Sequence, residues 1–569
     1  MKCGLCLIVM LILFCTITVE VKVTTESIFN VKSYGAKADD KTDDTAAVRA
    51  ALKECAKHAP ATLFFPKGRY DFTADPANRG TLLPANNIDG LTIDGGGSEF
   101  IVDGITGFMS FGGSKNICLK DFSLDWKRPP FSCGKVEAVE GNHFDVKVDD
   151  RYPVSGGEPV GAFMDYDPKT KLPMRHGLDE YNSVQATELL SPQLLRVNLN
   201  HAATIKPGVN VLLRHQVYGY NAFYFLRCEN VRVENVNVYT SPGMALLGWA
   251  CTNFDITRFN VIPRPKSGRP MSVTADAVHL MGTRGRINMT DCTFDGMGDD
   301  AANIGAGLYL TVKEKVDDRT VLAAHNLKIP DPPDVGDTME MCHQEDMLTY
   351  GTAKVAAVEQ TPKDGIARIV FTEPIPAELK VGDVIGDASR VAKTRISNCV
   401  VRNNRARGFL IQTRDAIIEK CKFTNCTSGG VWVISETVFF YEAIGARNVI
   451  VRNCTFDNCN YGGPLGDGVL CSYAILSDWR KPPKPGIHKN IVFENNIIRQ
   501  CDNSAIFVSG TDAITIRNNT IEQACEDPTV ESGHFAISMM SSSGVNIEGN
   551  NIEPKRQGKG FAKAIENMK

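Results

Sequence analysis

Short stretches of alternating apolar and polar residues recur along most of this chain, and many share one pattern: apolar, polar, any residue, Asn or Cys, any residue, apolar. Residues 396–401 carry it and 418–423 repeat it 22 positions later, while 516–521 follow 493–498 by 23. Further copies lie at 233–238, 256–261, 289–294, 451–456 and 547–552. The alternation predicts β-strands, and the Gly and Asn residues between them predict tight turns.

A period of 22–23 residues built from such strands is typical of one rung of a parallel β-helix. Leucine-rich repeats have a similar period, but their L-x-x-L-x-L signature does not occur in this sequence. We therefore predict an all-β protein, a right-handed parallel β-helix of about ten or more rungs. Because rungs stack about 4.8 Å apart, residues one period apart should form ladders along the axis.

The cysteines repeat with the rungs. One predicted inward-facing ladder contains Cys292, Cys399, Cys421 and Cys454. A second, about five positions after the rung motif, contains Cys426, Cys459, Cys501 and Cys525. We expect small buried hydrophobic side chains here rather than reactive thiols. Zinc is disfavoured, because the cysteines beyond residue 20 include no C-x-x-C pair.

The pattern changes at the N-terminus and at two internal stretches. Residues 29–70 resemble the N-terminal cap of the pectate-lyase-like β-helix superfamily, with an amphipathic helix at 46–56 that would cover the open end of the solenoid. Residues 127–227 and 306–393 alternate without the rung motif and are predicted to be inserted small antiparallel β-barrels. The segment 331–334 within the second of them is expected to be a surface loop.

These features divide the chain into six parts. The predicted organisation is a signal peptide at 1–22, a cap and first rungs at 23–126, a barrel at 127–227, rungs at 228–305, a second barrel at 306–393 and C-terminal rungs at 394–569. Lys2 followed by an apolar stretch predicts a secretory signal peptide and hence a secreted, extracellular or periplasmic protein, with an uncleaved membrane anchor as the alternative.

The charge balance narrows the classes of partner. The chain has 62 Lys and Arg residues against 66 Asp and Glu, a net charge of −4, which gives no electrostatic footprint for nucleic acid. The 43% of hydrophobic residues is ordinary for a packed globular chain and excludes a disordered one.

Three carboxylates recur with the spacing of the rungs. The block from Asp276 through His279 aligns with the block from Asp300 through Asn303, one rung later, and Asp299 adjoins the second block. These carboxylates should lie a few ångströms apart. Their mutual repulsion would raise one pKa and separate a proton donor from an ionised base, as glycoside hydrolysis requires.

We therefore predict Asp276, Asp299 and Asp300 as catalytic, and His279 and Asn303 as ligands of sugar hydroxyls or as groups that orient a carboxylate. An acidic triad could instead bind calcium. The sequence has no regular D-x-D calcium-binding loop here, so no metal and no cofactor are predicted.

The region around these carboxylates resembles a known family. Residues 275–279, 284–294 and 297–303 look like the central motif of glycoside hydrolase family 110, and the resemblance extends over most of the chain, including 407–413 and 439–442. It implies an exo-acting α-1,3-galactosidase that removes terminal α-galactose. It also implies a metal-independent, inverting mechanism with catalytic carboxylates at Asp276, Asp299 and Asp300. We assign Asp276 as the acid and the other two as the water-activating side, with the reverse assignment open.

Further candidates have weaker signals. Arg407, Glu442 and Trp249 are predicted to bind substrate, Glu442 because an unpaired carboxylate would be costly in the aromatic run around it. Trp432, Tyr441 and Arg414 are weaker candidates; the two aromatic residues are expected chiefly in the core, and Arg414 chiefly as a surface charge.

Two other functions compete with the galactosidase. A polygalacturonase also uses an Asp and an Asp-Asp pair on adjacent rungs, but its Gly-His-Gly and Arg-Ile-Lys tripeptides do not occur in this sequence. A non-enzymatic glycan-binding adhesin would not need three converging carboxylates. Each alternative takes a carbohydrate partner, and the oligomeric state stays open.

Overall fold

The computed structural model describes residues 27–75, 77, 80–329, 331–360, 365–462, 468–478, 481–525, 535–553 and 565–568. The predicted signal peptide at 1–22 lies outside these residues. Within them, no helix is long and apolar enough to cross a membrane.

The N-terminal part caps the solenoid. A 3₁₀ helix at Val31–Tyr34 precedes the α-helix α1 at Thr45–Lys57, close to the predicted 46–56. Helix α1 buries Val48, Leu52 and Cys55 against the first strands, which covers the apolar end of the β-helix. The strands of this part are β1 (Ser27–Asn30), β2 (Ala61–Phe64), β3 (Arg69–Thr73), β4 (Thr81–Pro84), β5 (Asp89–Asp103), β6 (Gly107–Gly112) and β7 (Lys115–Trp126).

The first insertion is an antiparallel sheet with its own hydrophobic core. Its seven strands pair in the order β11-β10-β14-β8-β9-β13-β12, so that β11 and β12 are edge strands rather than partners in a closed barrel. The strands are β8 (Phe131–Glu140), β9 (His143–Val148), β10 (Ala162–Asp165), β11 (Asp179–Tyr181), β12 (Val184–Ser191), β13 (Leu194–Leu199) and β14 (Asn210–Arg214).

The chain then returns to the solenoid and forms rungs in parallel register. These strands are β15 (Phe223–Leu226), β16 (Glu229–Val238), β17 (Leu246–Trp249), β18 (Thr252–Val261), β19 (Val278–Met281), β20 (Arg284–Thr290), β21 (Thr293–Asp295) and β22 (Ala302–Gly305). Val231 pairs with Phe254 and Val233 with Ile256, the 23-residue offset that the repeat predicted.

The second insertion is a closed antiparallel barrel of six strands with a separate core. The Gly turns at 335–337 and 381–383 each precede one of its strands. The strands are β23 (Leu310–Lys315), β24 (Thr320–Ala324), β25 (Thr338–Cys342), β26 (Thr349–Gln360), β27 (Ile366–Phe371) and β28 (Val384–Asp387).

The C-terminal rungs contain three short strands each. They comprise β29 (Ala392–Ser397), β30 (Val400–Arg402), β31 (Phe409–Gln412), β32 (Arg414–Glu419), β33 (Lys422–Thr424), β34 (Val431–Glu436), β35 (Arg447–Arg452), β36 (Thr455–Asp457), β37 (Gly468–Ile475), β38 (His488–Glu494), β39 (Ile497–Arg499), β40 (Ser504–Ser509), β41 (Thr511–Arg517), β42 (Thr520–Glu522), β43 (Ile537–Met540), β44 (Asn546–Glu548), β45 (Asn551–Ile552) and β46 (Ile565–Met568). Every pairing between these strands is parallel.

Buried ladders run through the solenoid core, as the repeat predicted. The cysteines of the first predicted ladder are all buried, and the Sγ of Cys454 accepts from the backbone N–H of Cys421 on the preceding rung. The same motif position continues as an asparagine ladder, in which Asn496 Nδ2 donates to Asn519 Oδ1 over 3.1 Å and Asn519 Nδ2 donates to Asn550 Oδ1 over 2.9 Å. The described cysteines carry no disulfide.

Among the described residues, one face of the solenoid is a sheet of twelve parallel strands, from β4 through β15, β17, β19, β22, β31 and β34 to β46. Both insertions pack beside the middle of this face. Arg214 of β14 donates to the backbone oxygens of Thr274 (3.3 Å) and Gly298 (2.9 Å), and on the other side Leu308, just before the barrel, forms a β-bridge with Glu442. The two insertions therefore wall a cleft over β17, β19, β22 and β31.

Candidate active site

The three predicted catalytic carboxylates lie at the floor of this cleft, at the starts of adjacent strands. Val278 of β19 pairs with Ala302 of β22, which aligns Asp276 with Asp300 as the sequence predicted. Oxygens of Asp276, Asp299 and Asp300 lie within 4.8 Å of one another, and all three side chains are buried.

Asp276 is paired with a histidine. Its Oδ2 lies 2.6 Å from Nδ1 of His279, and its Oδ1 accepts from the backbone N–H of Asp300 over 3.2 Å. Burial raises the pKa of Asp276 above its usual range, although the hydrogen bond with His279 acts in the opposite direction. Burial would lower the pKa of His279, but the bond to Asp276 raises it. The two groups compete for one proton.

Asp299 is held by donors from two directions. The hydroxyl of Tyr218, just after the first insertion, donates to Oδ2 over 2.5 Å, and Arg405 donates to Oδ1 over 3.4 Å. Burial alone would raise the pKa of Asp299, but the charges of Arg405 and Arg407 and the Tyr218 hydroxyl outweigh it and hold that pKa below its usual value. Asp299 is therefore the ionised member of the triad.

Asp300 is bound by one arginine at both oxygens. The backbone N–H of Arg407 donates to Oδ1 over 3.1 Å, and its guanidinium donates to Oδ2 over 2.7 Å. Burial raises the pKa of Asp300; Arg407 opposes this shift, and the neighbouring carboxylates of Asp299 and Asp276 reinforce it. Arg407 precedes β31, and since Ala302 pairs with Phe409, it stands one rung beyond Asp300.

A fourth carboxylate faces the triad across the cleft. Glu442 accepts from Gln412 Nε2 over 2.6 Å and from Asn303 Nδ2 over 3.3 Å, and burial raises its pKa. The Oδ1 of Asn303 and the Oε1 of Gln412 are buried without a hydrogen-bond partner among the described residues. These amide oxygens can accept from a ligand hydroxyl.

The loop that carries Glu442 is organised by another glutamate. The carboxylate of Glu436, at the end of β34, accepts the backbone N–H groups of Val438, Phe439 and Phe440, each over 2.6 Å. Phe440 of this loop lines the cleft, and both Phe439 and Phe440 are more than half exposed.

Trp249 lies at the end of β17, where its ring lines the cleft. Its Nε1 donates to Asp331 over 3.1 Å, and the buried Arg390 also donates to Asp331, over 2.5 Å. The expectation that 331–334 is a surface loop was wrong for Asp331, which is buried because it bridges Arg390 and the indole. The sequence offered no sign of this contact, since Arg390 is 59 residues away.

All eight predicted site residues line one cavity of about 240 Å³, together with Tyr218 and a set of apolar side chains. The apolar part contains Met244, Leu247, Met281, Leu308, Ile329 and Phe440. The other aromatic and arginine candidates lie elsewhere: Trp432 and Tyr441 are buried in core clusters, and Arg414 makes two 2.8 Å bonds to Glu340 of the barrel.

Sequence reasoning missed Tyr218, Arg405, Gln412 and Glu436. Arg405 and Gln412 lie one rung beyond Gly298 and Gly305, respectively, because β22 and β31 pair in parallel register. Alignment of these two rungs in the sequence could have found both residues. Tyr218 lies between the first insertion and β15, outside any repeat, and nothing in the sequence marks it.

The arrangement can supply an ionised carboxylate, a carboxyl of raised pKa and neutral hydrogen-bonding groups within one cavity. That is the combination required for general acid and base catalysis at a glycosidic bond.

Comparison with known proteins agrees with this chemistry. One family model, described as right handed beta helix region, matches residues 384–552, and another, described as rhamnogalacturonase A/epimerase, pectate lyase-like, matches 28–84. Alpha-1,3-galactosidase B of Bacteroides thetaiotaomicron is 26% identical over 93% of this chain and 92% of that protein. Alpha-1,3-galactosidase A of Shewanella woodyi is 26% identical over 93% and 91%.

Among solved structures, an exopolygalacturonase from Thermotoga maritima matches with a TM-score of 0.44 and 11% identity, over 93% of this chain and 92% of that chain. The chain is homologous to curated α-1,3-galactosidases over most of its length. The predicted resemblance, the β-helix fold and the assignment to the glycoside hydrolases are confirmed.

Proposed function

We propose that this protein is an exo-acting glycoside hydrolase that releases terminal α-1,3-linked galactose from glycans. The observation that carries the proposal is the buried triad of Asp276, Asp299 and Asp300 in a cavity lined by Tyr218 next to the first insertion and by Leu308 and Ile329 on the barrel side. The names of the relatives support the choice of sugar and linkage.

The separation of the carboxylates suits direct attack by water. Two oxygens that lie within 4.8 Å can both accept from one water molecule, since each hydrogen bond needs about 2.7–2.8 Å. In the proposed reaction, Asp299 and Asp300 hold this water, and ionised Asp299 takes its proton. The water attacks the anomeric carbon as the glycosidic bond breaks, which inverts the configuration and gives β-galactose.

The separation also sets a limit on this mechanism. Acid and base carboxyls in inverting enzymes typically stand about 6.5–9.5 Å apart, and about 5–5.5 Å in retaining ones. The nearest oxygens here are closer than either range. Inversion therefore rests on the shared water and on the resemblance, and the anomer of the first galactose released tests it directly.

The proton for the departing oxygen is assigned to Asp276. Both oxygens of Asp300 accept N–H groups from Arg407, so the guanidinium opposes protonation of that carboxyl, although burial raises its pKa to about 8. Oδ2 of Asp276 instead faces Nδ1 of His279, so a proton can reside between them with the histidine neutral. Burial, which raises the pKa of Asp276, favours this state.

The rest of the cavity fits a neutral sugar. Asn303 and Glu442 offer hydrogen-bonding groups, and Trp249 offers a ring whose indole N–H is already bound to Asp331. Arg407 and His279, the basic residues that line the cavity, are already paired with Asp300 and Asp276, so neither is free to bind the carboxylate of an acidic sugar such as galacturonate. This favours galactose over a pectic substrate.

The partners of the triad support the proposal that the enzyme needs no metal. A cation could in principle be held by three carboxylate oxygens within 4.8 Å. Each carboxylate already has its own donor, however: His279, Arg405 or Arg407. We propose that the two arginines supply the positive charge locally, so activity should survive chelation with EDTA.

We also propose secretion through the predicted signal peptide at 1–22. Expression of the full chain, followed by N-terminal sequencing of protein from the medium or periplasm, tests this. A protein that stays in the cytoplasm with Met1 intact would contradict it.

The test of the function itself is substrate turnover with the purified full chain. We expect free galactose from an α-1,3-linked galactosyl disaccharide and none from galacturonan, with EDTA present. The variants Asp276→Asn, Asp299→Asn and Asp300→Asn should each lose about 10²-fold or more. Release of galacturonate without release of galactose would refute the proposal.

A further inference from the structure

We propose that a groove beside the first insertion binds the part of the glycan from which galactose is cleaved. This aglycone groove has a volume of about 600 Å³ and is formed by residues 157–161, 181–182, 184–187 and 215–219. The inference rests on the proposed function, because it concerns the remainder of the same substrate.

The groove adjoins the reacting end of the catalytic cavity. Tyr218 lines both spaces, and its hydroxyl donates to Asp299. Asp276 and Asp300 precede β19 and β22, so the carboxylates lie at the strand starts, on the side of Tyr218.

The opposite end of the cavity is occupied by the barrel side. Leu308 lies beyond the end of β22 and pairs with Glu442, and Phe440 covers this end from the same loop. A galactose over the strand middles, beside His279 and Asn303, would therefore have its scissile bond near the carboxylates. Its aglycone would then leave past Tyr218 into the groove.

The groove offers hydrogen-bonding groups that nothing else uses. Among the described residues, the side chains of Asn182, Gln185 and Gln216 make no hydrogen bond, and all three line the groove. The hydroxyl of Tyr181, which also lines it, is buried without a partner. Neutral amides and a hydroxyl are suited to the hydroxyl groups of an uncharged oligosaccharide.

Glu158 lines the groove, but its carboxylate is occupied by the backbone N–H groups of Ser155 and Gly156, and the histidine in the wall is neutral. His215 is buried, with Nδ1 donating to the backbone oxygen of Pro159 over 2.9 Å and Nε2 lying 2.7 Å from Ser132 Oγ. Burial lowers the pKa of His215 to about 4, so the imidazole stays neutral above that pH. Tyr218 is 48% exposed as a residue, and its ring offers a flat apolar face for a second sugar.

The size of the two spaces fits this division. The catalytic cavity, at about 240 Å³, is smaller than the 300–1,000 Å³ common for ligand pockets, whereas the groove, at about 600 Å³, lies within that range. One monosaccharide is thus bound in the cavity and the next units of a neutral glycan in the groove.

The experiment compares substrates with and without an aglycone sugar. For each enzyme, kcat/KM is measured on α-galactosyl fluoride and on a trisaccharide with terminal α-1,3-galactose. Gln185→Ala and Gln216→Ala should each lower the ratio of kcat/KM on the trisaccharide to kcat/KM on the fluoride about fivefold. This is the effect expected from the loss of one hydrogen bond of about 1 kcal/mol. The double variant should lower it further.

Two control variants define the outcome. Glu188 lies on β12 with Gln185 but outside the groove, so Glu188→Ala should leave the ratio of the two kcat/KM values unchanged. Phe440→Ala, at the other end of the cavity, should lower kcat/KM on both substrates alike. The proposal that the groove binds the aglycone would be wrong if the ratio is unchanged in both glutamine variants. It would also be wrong if Phe440→Ala lowers kcat/KM on the trisaccharide alone.

Failure of the groove is distinguishable from failure of the proposed function. If the wild type does not release galactose from the fluoride, the proposed function fails. If it does and the ratios stay constant, only the groove fails. Calorimetry with the disaccharide product left after galactose is removed is independent of turnover, and binding equal in wild type and the double variant would also contradict the groove.

Discussion

Three chemically identical side chains differ in the direction of their pKa shifts, raised at Asp276 and Asp300 and lowered at Asp299, because their neighbours differ. Arg405 and Tyr218 keep Asp299 ionised, while burial outweighs His279 at Asp276 and raises its pKa. A base and an acid can therefore coexist within 4.8 Å. The variants that test this assignment act on one carboxylate at a time.

Asp276→Asn should affect substrates according to their leaving group. Without the acid, hydrolysis of an α-1,3-linked disaccharide should fall about 10²-fold or more. α-Galactosyl fluoride needs no proton on its leaving group and should be hydrolysed nearly as fast as before. Asp299→Asn is the control and should lose both activities; the opposite pattern would exchange the roles of the two residues.

Tyr218→Phe should change the pH dependence of kcat/KM. The base must be ionised, so activity is lost as the pH falls through the pKa of Asp299, which the wild type holds below its usual value. Removal of the hydroxyl donor raises that pKa, and the acidic limb should move upward by roughly one pH unit. If kcat/KM falls at every pH and the acidic limb does not move, Tyr218 shapes the cavity without setting the pKa of Asp299.

The spacing of the repeat was enough to predict most residues of this site from the sequence. Asp276, Asp300 and Arg407 occupy equivalent positions on successive rungs, and the one-rung offset predicted the contact of the first two. Tyr218 could not be found, because its contact with Asp299 depends on how the first insertion rejoins the solenoid, which no repeat constrains.

At the scale of elements, the loop after β34 depends on one carboxylate. Glu436 accepts three successive N–H groups, and the loop presents Glu442 to Asn303 and Gln412. Glu436→Gln should loosen this turn and reduce kcat/KM about tenfold, mainly through KM, since hydrogen bonds to a charged group contribute about 1.5–3 kcal/mol each.

The matched control is Glu314→Gln, an exposed glutamate of the barrel that should not change either constant. Steady-state kinetics on the disaccharide decide the question. Wild-type KM in Glu436→Gln would show that the loop holds its shape without the carboxylate.

The asparagine ladder is an element that stabilises the C-terminal rungs. Asn519 is buried; it accepts from the backbone N–H of Asn496 over 3.0 Å and donates to Phe493 O and Asn550 Oδ1, each over 2.9 Å. Asn519→Ala would leave these groups unpaired and should lower the free energy of unfolding by about 1–3 kcal/mol.

Urea denaturation measures this change, with the exposed Asn546→Ala as control. Equal stability of the two variants would show that the ladder contributes nothing. The rung motif predicted these strands and ladders because stacking imposes the same residue at each repeat. It could not predict Asp331, whose partners come from other elements.

At the scale of the whole molecule, the solenoid supplies the catalytic floor and the insertions supply its walls. Arg214 of the first insertion binds two backbone oxygens of the catalytic rungs, while the barrel is held to the loop of Glu442 through Leu308. The positions of the insertions were readable as interruptions of the repeat. Their docking was not, because it depends on single contacts such as Arg214 with Gly298.

The measurement that tests the central claim most directly is proton NMR of the first sugar released from an α-1,3-linked galactoside by the wild-type enzyme. Direct attack by water held between the carboxylates predicts that the β-anomer of galactose appears first and that the α-anomer follows by mutarotation. An initial α-anomer signal would contradict inversion, and no galactose at all would contradict the assignment of the triad to galactoside hydrolysis.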